Sequence, residues 1–221
     1  MNDVMQMFSG NDPGTVSSSV KLLLLMTVLS LAPSILILMT SFTRIVIVLS
    51  FVRTSLATQQ MPPNQVIVGL ALFMTFFIMA PTFHDVYQDG LQPLFEEKIT
   101  LDEAYDKASE PMKEFMAKHT RQKDLALFLN YAKKEKPESI KDIPMTTLVP
   151  AYAISELKTA FQMGFLIFVP FLIIDMAVAS VLMSMGMMML PPVMISLPFK
   201  ILLFVLVDGW YLIAQSLLQG Y

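Results

Sequence analysis

Four long apolar runs follow one another along the chain, and a polar stretch separates the first two from the last two. The runs are Leu22–Val52, Val66–Phe83, Phe161–Leu182 and Val193–Leu218. Because a helix crosses a bilayer with about 20 mostly apolar residues, each run is long enough for one crossing. The first run exceeds that length and contains Pro33, which predicts a kinked or broken helix. The pattern therefore predicts an all-α, membrane-associated fold with two kinked helical hairpins.

Each pair of apolar runs turns at a pair of prolines, Pro62-Pro63 in the first and Pro191-Pro192 in the second. A proline lacks the backbone N–H and disfavours helix at the residue before it, so each Pro-Pro pair ends one helix and lets another begin. The repetition predicts that both hairpin tips lie on the same side. The termini and the polar stretch are then expected on the opposite side.

The polar stretch, residues 84–150, predicts a small helical domain inserted between the hairpins. Apolar residues recur there at helical spacing around Phe115 and again around Phe128, which is typical of two amphipathic helices. The chain then divides into a flexible segment 1–20, a first hairpin 21–83, the polar insert 84–150 and a second hairpin 151–221.

The start of the first apolar run superficially resembles a signal peptide, with Lys21 before Leu22–Ala32. A signal peptide is basic before its apolar core, whereas Asp3 and Asp12 precede this one. The apolar character also continues well beyond the length of a signal peptide. We therefore expect an uncleaved segment.

Composition supports a membrane protein and narrows its chemistry. The chain is 55 % apolar and only 15 % charged, against about 45–50 % and about 25 % in soluble domains. A net charge of −3 argues against nucleic acid as a partner. The sequence contains no cysteine and two histidines far apart, so we expect neither a disulfide nor a metal centre nor a cofactor. Nucleotide, hydrolase and metalloprotease motifs are missing from the sequence, which predicts that the protein is not an enzyme.

The turn between the last two runs is rich in methionine, with five in the seven positions 183–189. Methionine is unbranched and polarisable and adapts to changing surfaces, so this loop has the properties of a compressible seal. The alternative is a buried turn in which methionine only fills gaps between helices.

Four charges interrupt the apolar runs: Arg44, Asp175, Lys200 and Asp208. In a hairpin that turns at residues 190–191, Asp175 lies about 15 residues before the tip and Lys200 about 9 after it, an offset of about 9 Å. We therefore expect a contact within one hairpin to be strained, and predict that these charges pair between adjacent subunits of an oligomer. Alternatively each reaches water, or Asp175, Lys200 and Asp208 form the site of a small-solute transporter.

Three stretches resemble one protein family. Residues 150–165 (PAYAISELKTAFQMGF) are the most specific; residues 40–65 and the run from Asp175 to Pro192 are similar too. On these motifs the sequence is identified as a member of the FliP family of flagellar export-gate proteins, whose relatives serve virulence-type secretion systems.

The resemblance implies that several copies assemble with FliR and FliQ into a ring in the bacterial inner membrane and flagellar basal body. FlhA, FlhB and FliO are implied neighbours, and unfolded flagellar proteins are the cargo. Much of the assembled ring is then expected above the bilayer plane, and the polar insert on its outer side.

Residue roles also follow from the resemblance. The pore gasket is assigned by motif match to Met187, Met188 and Met189, with Met185 beside them. Glu156, in the most specific stretch, is assigned to subunit assembly, and Glu156 and Arg44 join Asp175 and Lys200 as expected intersubunit charge contacts. Phe115 and Phe128 are further candidate assembly contacts, with plain core packing as the alternative.

Overall fold

The structure is a computed structural model that describes residues 26–27, 30–31, 33–58, 60–133, 137, 139–187 and 189–221. The regular elements of these residues are helices, and no strand occurs among them, as the all-α prediction requires. Contacts divide the chain into two compact units, Met1–Ile37 and Leu38–Tyr221. The sites described below all lie in the second unit.

The helices are named here in chain order. Their bounds are α1 Pro33–Met39, α2 Phe42–Ser55, α3 Asn64–Asp85 with a π-helical continuation Val86–Leu91, α4 Gln92–Phe95, α5 Leu101–His119, α6 Gln122–Tyr131, α7 Met145–Ser184, α8 Pro192–Leu206 and α9 Gly209–Gln219.

Two continuous helical stretches are long and apolar enough to cross a membrane, Asn64–Phe95 and Met145–Ser184. The number rises to four if α1 with α2, and α8 with α9, each count as one broken span. The break predicted in the first apolar run is therefore confirmed, and it lies between Met39 and Phe42. The last run bends by 62° between α8 and α9. The bend occurs where Asp208 adopts a left-handed backbone conformation with φ +51°, which interrupts a helix.

Helix α7 is longer than its apolar run predicts, because it begins at Met145 rather than near Phe161. Pro150 lies inside this helix, just beyond the first N–H groups that have no partner, so it removes one backbone hydrogen bond of the helix. This extension matters for the site, since it carries the signature residues 150–165 into the same rigid helix as Asp175.

The core forms where α2 and the polar insert pack against α7. Ile45, Val48 and Val52 of α2 are fully buried, and α2 packs closely against α7 and α3. On the insert side Met116, Leu148 and Tyr152 form a second buried cluster. The polar insert thus shares part of its core with the start of α7.

Helix α5 begins at a capping box formed by Thr100 and Glu103. The Thr100 side chain accepts a hydrogen bond from the Glu103 N–H, and the Glu103 carboxylate accepts one from the Thr100 N–H at 2.9 Å. This arrangement satisfies two N–H groups that the helix itself cannot bond. The last turn of α5 carries Lys118 and His119, which contribute to the site described next.

Candidate functional site

The most enclosed ion pair among the described residues of the second unit joins α2 and α7. Arg44 Nε donates to Glu156 Oε2 at 2.9 Å, and Arg44 Nη2 contacts Glu156 Oε1. Arg44 is 4 % exposed and Glu156 is fully buried. Two parallel bonds between a guanidinium and a carboxylate give this pair a fixed geometry as well as a strong attraction.

Tyr221 completes this pair from a third direction. Its phenol oxygen donates to Glu156 Oε2 at 2.5 Å, and its ring centroid lies 4.0 Å from Arg44 Cζ. Arg44 Nη1 also donates to the carbonyl oxygen of Gly220 at 2.9 Å. Burial, more than the neighbouring carboxylate, raises the pKa of the Tyr221 phenol. The phenol therefore keeps its proton and serves as a donor to Glu156.

Side chains of α5 hold Tyr221 in place. The Phe115 ring stacks on the Tyr221 ring at a centroid distance of 5.9 Å, and the His119 ring meets it edge-on at 4.8 Å. Lys118 Nζ donates to the backbone oxygen of Tyr221 at 3.0 Å. Tyr221 thus connects the polar insert to α2 and α7.

His119 has an unusually low basicity in this environment. Partial burial, followed by the charges of Arg44 and Lys118, lowers its pKa to about 4. The imidazole is therefore neutral at pH 7, so it adds no further positive charge beside Arg44.

A second ion pair joins α7 to α8. Lys200 Nζ lies 2.6 Å from Asp175 Oδ2 and donates to the carbonyl oxygen of Ser55 at 3.2 Å. Ser196 Oγ donates to Asp175 Oδ1 at 2.5 Å. Lys200 is 2 % exposed, whereas the Asp175 side chain is 22 % exposed. One edge of this pair therefore reaches the surface of the chain.

The expectation that a contact between Asp175 and Lys200 within one hairpin is strained is wrong, because it placed the turn too late. Helix α7 ends at Ser184 and α8 begins at Pro192, so the turn is centred near residue 188. Asp175 lies nine residues before the end of α7, and Lys200 lies eight residues after the start of α8. The two side chains are thus level with each other across the hairpin.

Each of the four charges assigned to subunit contacts has a partner within the chain, Arg44 with Glu156 and Asp175 with Lys200. Their additional contact with a neighbouring subunit stays a prediction. Asp208 lies apart from them, exposed at the bend between α8 and α9. Among the described residues, no cation lies within ion-pair distance of it.

The methionine loop follows a well-defined helix end. Gly186 has φ +77°, its N–H donates to the Met183 carbonyl at 3.1 Å, and the Met187 N–H donates to the Leu182 carbonyl at 3.0 Å. These two bonds form a Schellman motif, which needs a residue in the left-handed region and thus favours glycine.

The side chains of this loop are largely uncovered. Met189 is 99 % exposed, Met185 is exposed and Met187 is half-buried. Met188, the fourth assigned methionine, lies outside the described residues. The described part of the loop therefore matches a surface feature better than a buried filler.

The two aromatic candidates occupy different positions. Phe115 packs against the buried cluster around Met116 and Tyr152, in agreement with the core alternative. Phe128 is half-buried on α6. A subunit contact for either stays a prediction.

Sequence patterns missed Tyr221 altogether, because it follows a glycine with no periodic context. A buried acid such as Glu156 in an apolar helix was a signal for an arginine partner, but nothing in the sequence indicated the phenol.

The described residues thus define an all-α class of protein, with two apolar helices long enough to cross a membrane and two further pairs of bent helices. The FliP family model matches residues 25–217, so the chain belongs to the FliP family of flagellar biosynthetic proteins. This confirms the resemblance found in the motifs.

Curated relatives agree with this assignment. The flagellar biosynthetic protein FliP of Bacillus subtilis (strain 168) is 77 % identical over 221 residues, with 100 % of both chains covered. That of Caulobacter vibrioides is 53 % identical over 212 residues, which is 96 % of this chain and 80 % of the relative. That of Aquifex aeolicus (strain VF5) is 51 % identical over 211 residues, 94 % of this chain and 88 % of the relative.

Proposed function

We propose that the chain is a pore-forming core subunit of the flagellar type III protein export gate, with the methionine loop as the seal of its channel. The family assignment supports a role in flagellar biosynthesis, and the names of the relatives support that role directly. Transport is consistent with apolar helices long enough to span a membrane.

The observation that carries this proposal is the exposure of the methionine loop at the tip of the α7–α8 hairpin. Met189 is 99 % exposed, although a long apolar side chain in water forfeits the stabilisation of burial. A second surface that covers the loop would restore the stabilisation that burial of these side chains provides. Equivalent loops of neighbouring copies around a channel would supply such a surface to one another.

Methionine suits a seal for a protein channel because its side chain is flexible and its thioether is polarisable. A ring of such side chains can close against water and ions and can also adapt to passing chains of varied sequence. An apolar constriction excludes ions because water inside it is unfavourable.

Assembly partners belong to the same proposal. Large apolar side chains such as Phe73, Leu166 and Val205 are exposed on α3, α7 and α8. Patches of this kind mark protein or membrane contacts. We assign them to lipid, to further copies of this chain and to FliR and FliQ in the cytoplasmic membrane, with FlhA, FlhB and FliO as neighbours.

The experiment replaces Met185, Met187, Met188 and Met189 by alanine in a bacterium that uses this chain as its FliP. We expect ions and small solutes to leak into cells that assemble the variant gate, while flagellar proteins still reach the medium. The measurements are dye or potassium leakage and the amount of secreted flagellar protein.

A matched control replaces Met176 and Met194 by alanine, since both are exposed methionines of the same hairpin outside the loop. The control should seal normally. A tight membrane in the loop variant, with secretion intact, would disprove the seal.

The alternative of a small-solute transporter has less support. Its site would need Asp175 and Lys200 available to solute, but in the structure they bind each other, Ser196 and the Ser55 carbonyl. Asp208 lies away from this pair at the bend before α9.

A further inference from the structure

A groove lies between α3 and α9 and leads to the last turns of α5. It consists of two adjoining cavities of about 480 Å³ each, both lined by Phe77 and Leu218. The four ion-paired side chains and the methionine loop do not line it. Its end near α5 is lined by Tyr221 and by Phe115, Lys118 and His119, which hold Tyr221 beside the first ion pair.

The wall formed by α3 is a single helical stripe. Its residues recur at spacings of three, four or one, so they share one face of the helix; they include Leu70, Phe73, Phe77, Ile78, Pro81 and Asp85. The apolar part from Leu70 to Thr82 is about 18 Å long at 1.5 Å per residue. One leaflet of a bilayer has a hydrocarbon depth of about 15 Å, half of the full core. The stripe thus has the length of one acyl chain.

The two ends of the groove differ in chemistry. Around Leu49, Trp210 and Ile213 the lining is almost wholly apolar. At the other end the lining includes Asp85, Glu114 and Lys118. Asp85 is also the last residue of α3, so the charges lie where the apolar stretch of this span ends. That is the depth of lipid headgroups if α3 crosses the membrane.

We propose that this groove binds a zwitterionic phospholipid of the phosphatidylethanolamine type. Its acyl chain lies along the α3 stripe, its phosphate faces Lys118, and its ammonium faces Asp85 and Glu114. The lysine ammonium carries three donors, of which one binds the Tyr221 backbone oxygen, so it can also donate to a phosphate. Both charges of the headgroup thereby meet an opposite charge.

The size of the groove suits a lipid chain. Cavities of about 480 Å³ lie in the range of small-molecule sites. A slender, flexible acyl chain therefore fits the apolar part, and the charged residues at the other end suit a polar headgroup.

Trp210 makes this proposal directly testable, because it lines the apolar end and is the single tryptophan of the sequence. The full-length chain, purified in mild detergent, is titrated with phosphatidylethanolamine brominated on its acyl chains. Bromine quenches tryptophan fluorescence only at close range. We expect quenching that saturates, that unbrominated phosphatidylethanolamine reverses, and that is at least five-fold stronger than with phosphatidylglycerol.

Two variants test the two ends of the groove. Ala214→Phe narrows the apolar end and should weaken the apparent affinity at least five-fold. Lys118→Glu places a negative charge at the phosphate position and should weaken it about ten-fold. Lys123→Glu makes the same charge change on exposed α6, away from the groove, and should leave binding unchanged. Circular dichroism and gel filtration confirm that each variant is folded.

Several results would overturn the proposal. One is quenching that rises linearly without saturation, which indicates only general contact with lipid. Another is saturable quenching that is the same in Ala214→Phe and Lys118→Glu as in the parent chain. A third is the absence of quenching. If a Phe77→Cys variant then also cross-links two copies, the groove belongs to a second copy of the chain.

Discussion

Arg44–Glu156 and Asp175–Lys200 both place a cation and a carboxylate between apolar helices, but their surroundings differ. The first pair has two parallel contacts and is closed by Tyr221, and its acid is fully buried. The second has one close contact, and its acid is 22 % exposed. An enclosed pair ties helices together firmly, since separation leaves each charge buried without a counter-charge. The open pair leaves Asp175 a route to water.

The two pairs also hold different parts of the molecule. Arg44–Glu156 connects α2, α7 and, through Tyr221, the polar insert. Asp175–Lys200 connects the two arms of the hairpin that carries the methionine loop, with the end of α2 beside it. The difference indicates that the contact of α2 and α7 with the polar insert is the more rigid. Separation of α7 from α8 then requires less free energy than separation of α7 from α2.

The largest expected effect comes from removing the enclosed acid. Glu156→Gln keeps the shape but leaves the Arg44 charge buried without a counter-charge, which costs about 3–5 kcal/mol. Thermal unfolding in mild detergent, followed by circular dichroism, measures the loss. The matched control is Glu110→Gln, whose partner Lys141 lies on the surface with both side chains more than a third exposed. This control should lower the stability far less than Glu156→Gln, because exposed ion pairs contribute little.

A double replacement separates charge from packing at this pair. Arg44→Leu with Glu156→Leu removes both charges, and buried pairs replaced by apolar residues often lose little stability. The double variant should therefore unfold at a higher temperature than Glu156→Gln. Equal stability of Glu156→Gln and the parent chain would mean that the pair is not enclosed as described.

A smaller effect is expected at the open pair. Lys200→Met removes the charged hydrogen bonds to Asp175 and the Ser55 carbonyl, and hydrogen bonds to charged groups contribute about 1.5–3 kcal/mol. Asp175 keeps its hydrogen bond from Ser196 and its access to water, so Lys200→Met should lose less stability than Glu156→Gln. Thermal unfolding in mild detergent measures which of the two variants is the less stable.

Exchange of the two charges tests where they pair. If the contact lies within the chain, Asp175→Lys combined with Lys200→Asp in one molecule should regain part of the lost stability. Two single variants mixed in one assembly should regain none. Recovery only in the mixture would instead support pairing between neighbouring subunits.

The sequence predicted the helical class, the apolar helices and a break in the first apolar run, because hydrophobic length and periodicity are local properties. The register of the last hairpin was mispredicted because the turn begins directly after Ser184, where the Schellman motif around Gly186 ends α7, and not at the Pro-Pro pair. The signature stretch drew attention to Glu156 through family resemblance alone. Its partner Arg44 is 112 residues away, and only tertiary packing brings them together.

Tyr221 shows why the rest of the site could not be predicted from the sequence. Its contacts come from α2, α5 and α7, and none of them leaves a spacing pattern around residue 221. A phenol that donates to a buried carboxylate is identified by distance and direction, which periodicity does not encode.

The smallest expected effect is a pH dependence confined to the enclosed pair. The pKa of His119 is lowered to about 4 in the folded chain, against about 6.5 when unfolded. At pH 7 both forms are neutral there, so the histidine has no effect. As the pH falls from about 6.5 to about 4 the unfolded chain binds the proton first, so stability decreases. Because the ring is only about half-buried, solvent screening reduces the loss to about 1 kcal/mol.

The comparison uses His119→Gln, which removes the titrating group beside Tyr221 and Arg44. Unfolding temperatures of both chains are measured between pH 7.5 and 4.5, and their difference is plotted against pH, so that the acids common to both cancel. The parent chain should lose stability relative to the variant as the pH falls through 6.5. The Asp175–Lys200 pair contains no histidine contact among the described residues. Lys200→Met should therefore lower the unfolding temperature of the parent chain and of His119→Gln equally at every pH.

A difference in unfolding temperature between the parent chain and His119→Gln that stays constant with pH would show that His119 is protonated as readily in the folded chain as in the unfolded one. The enclosure of the first pair would then be looser than its burial indicates.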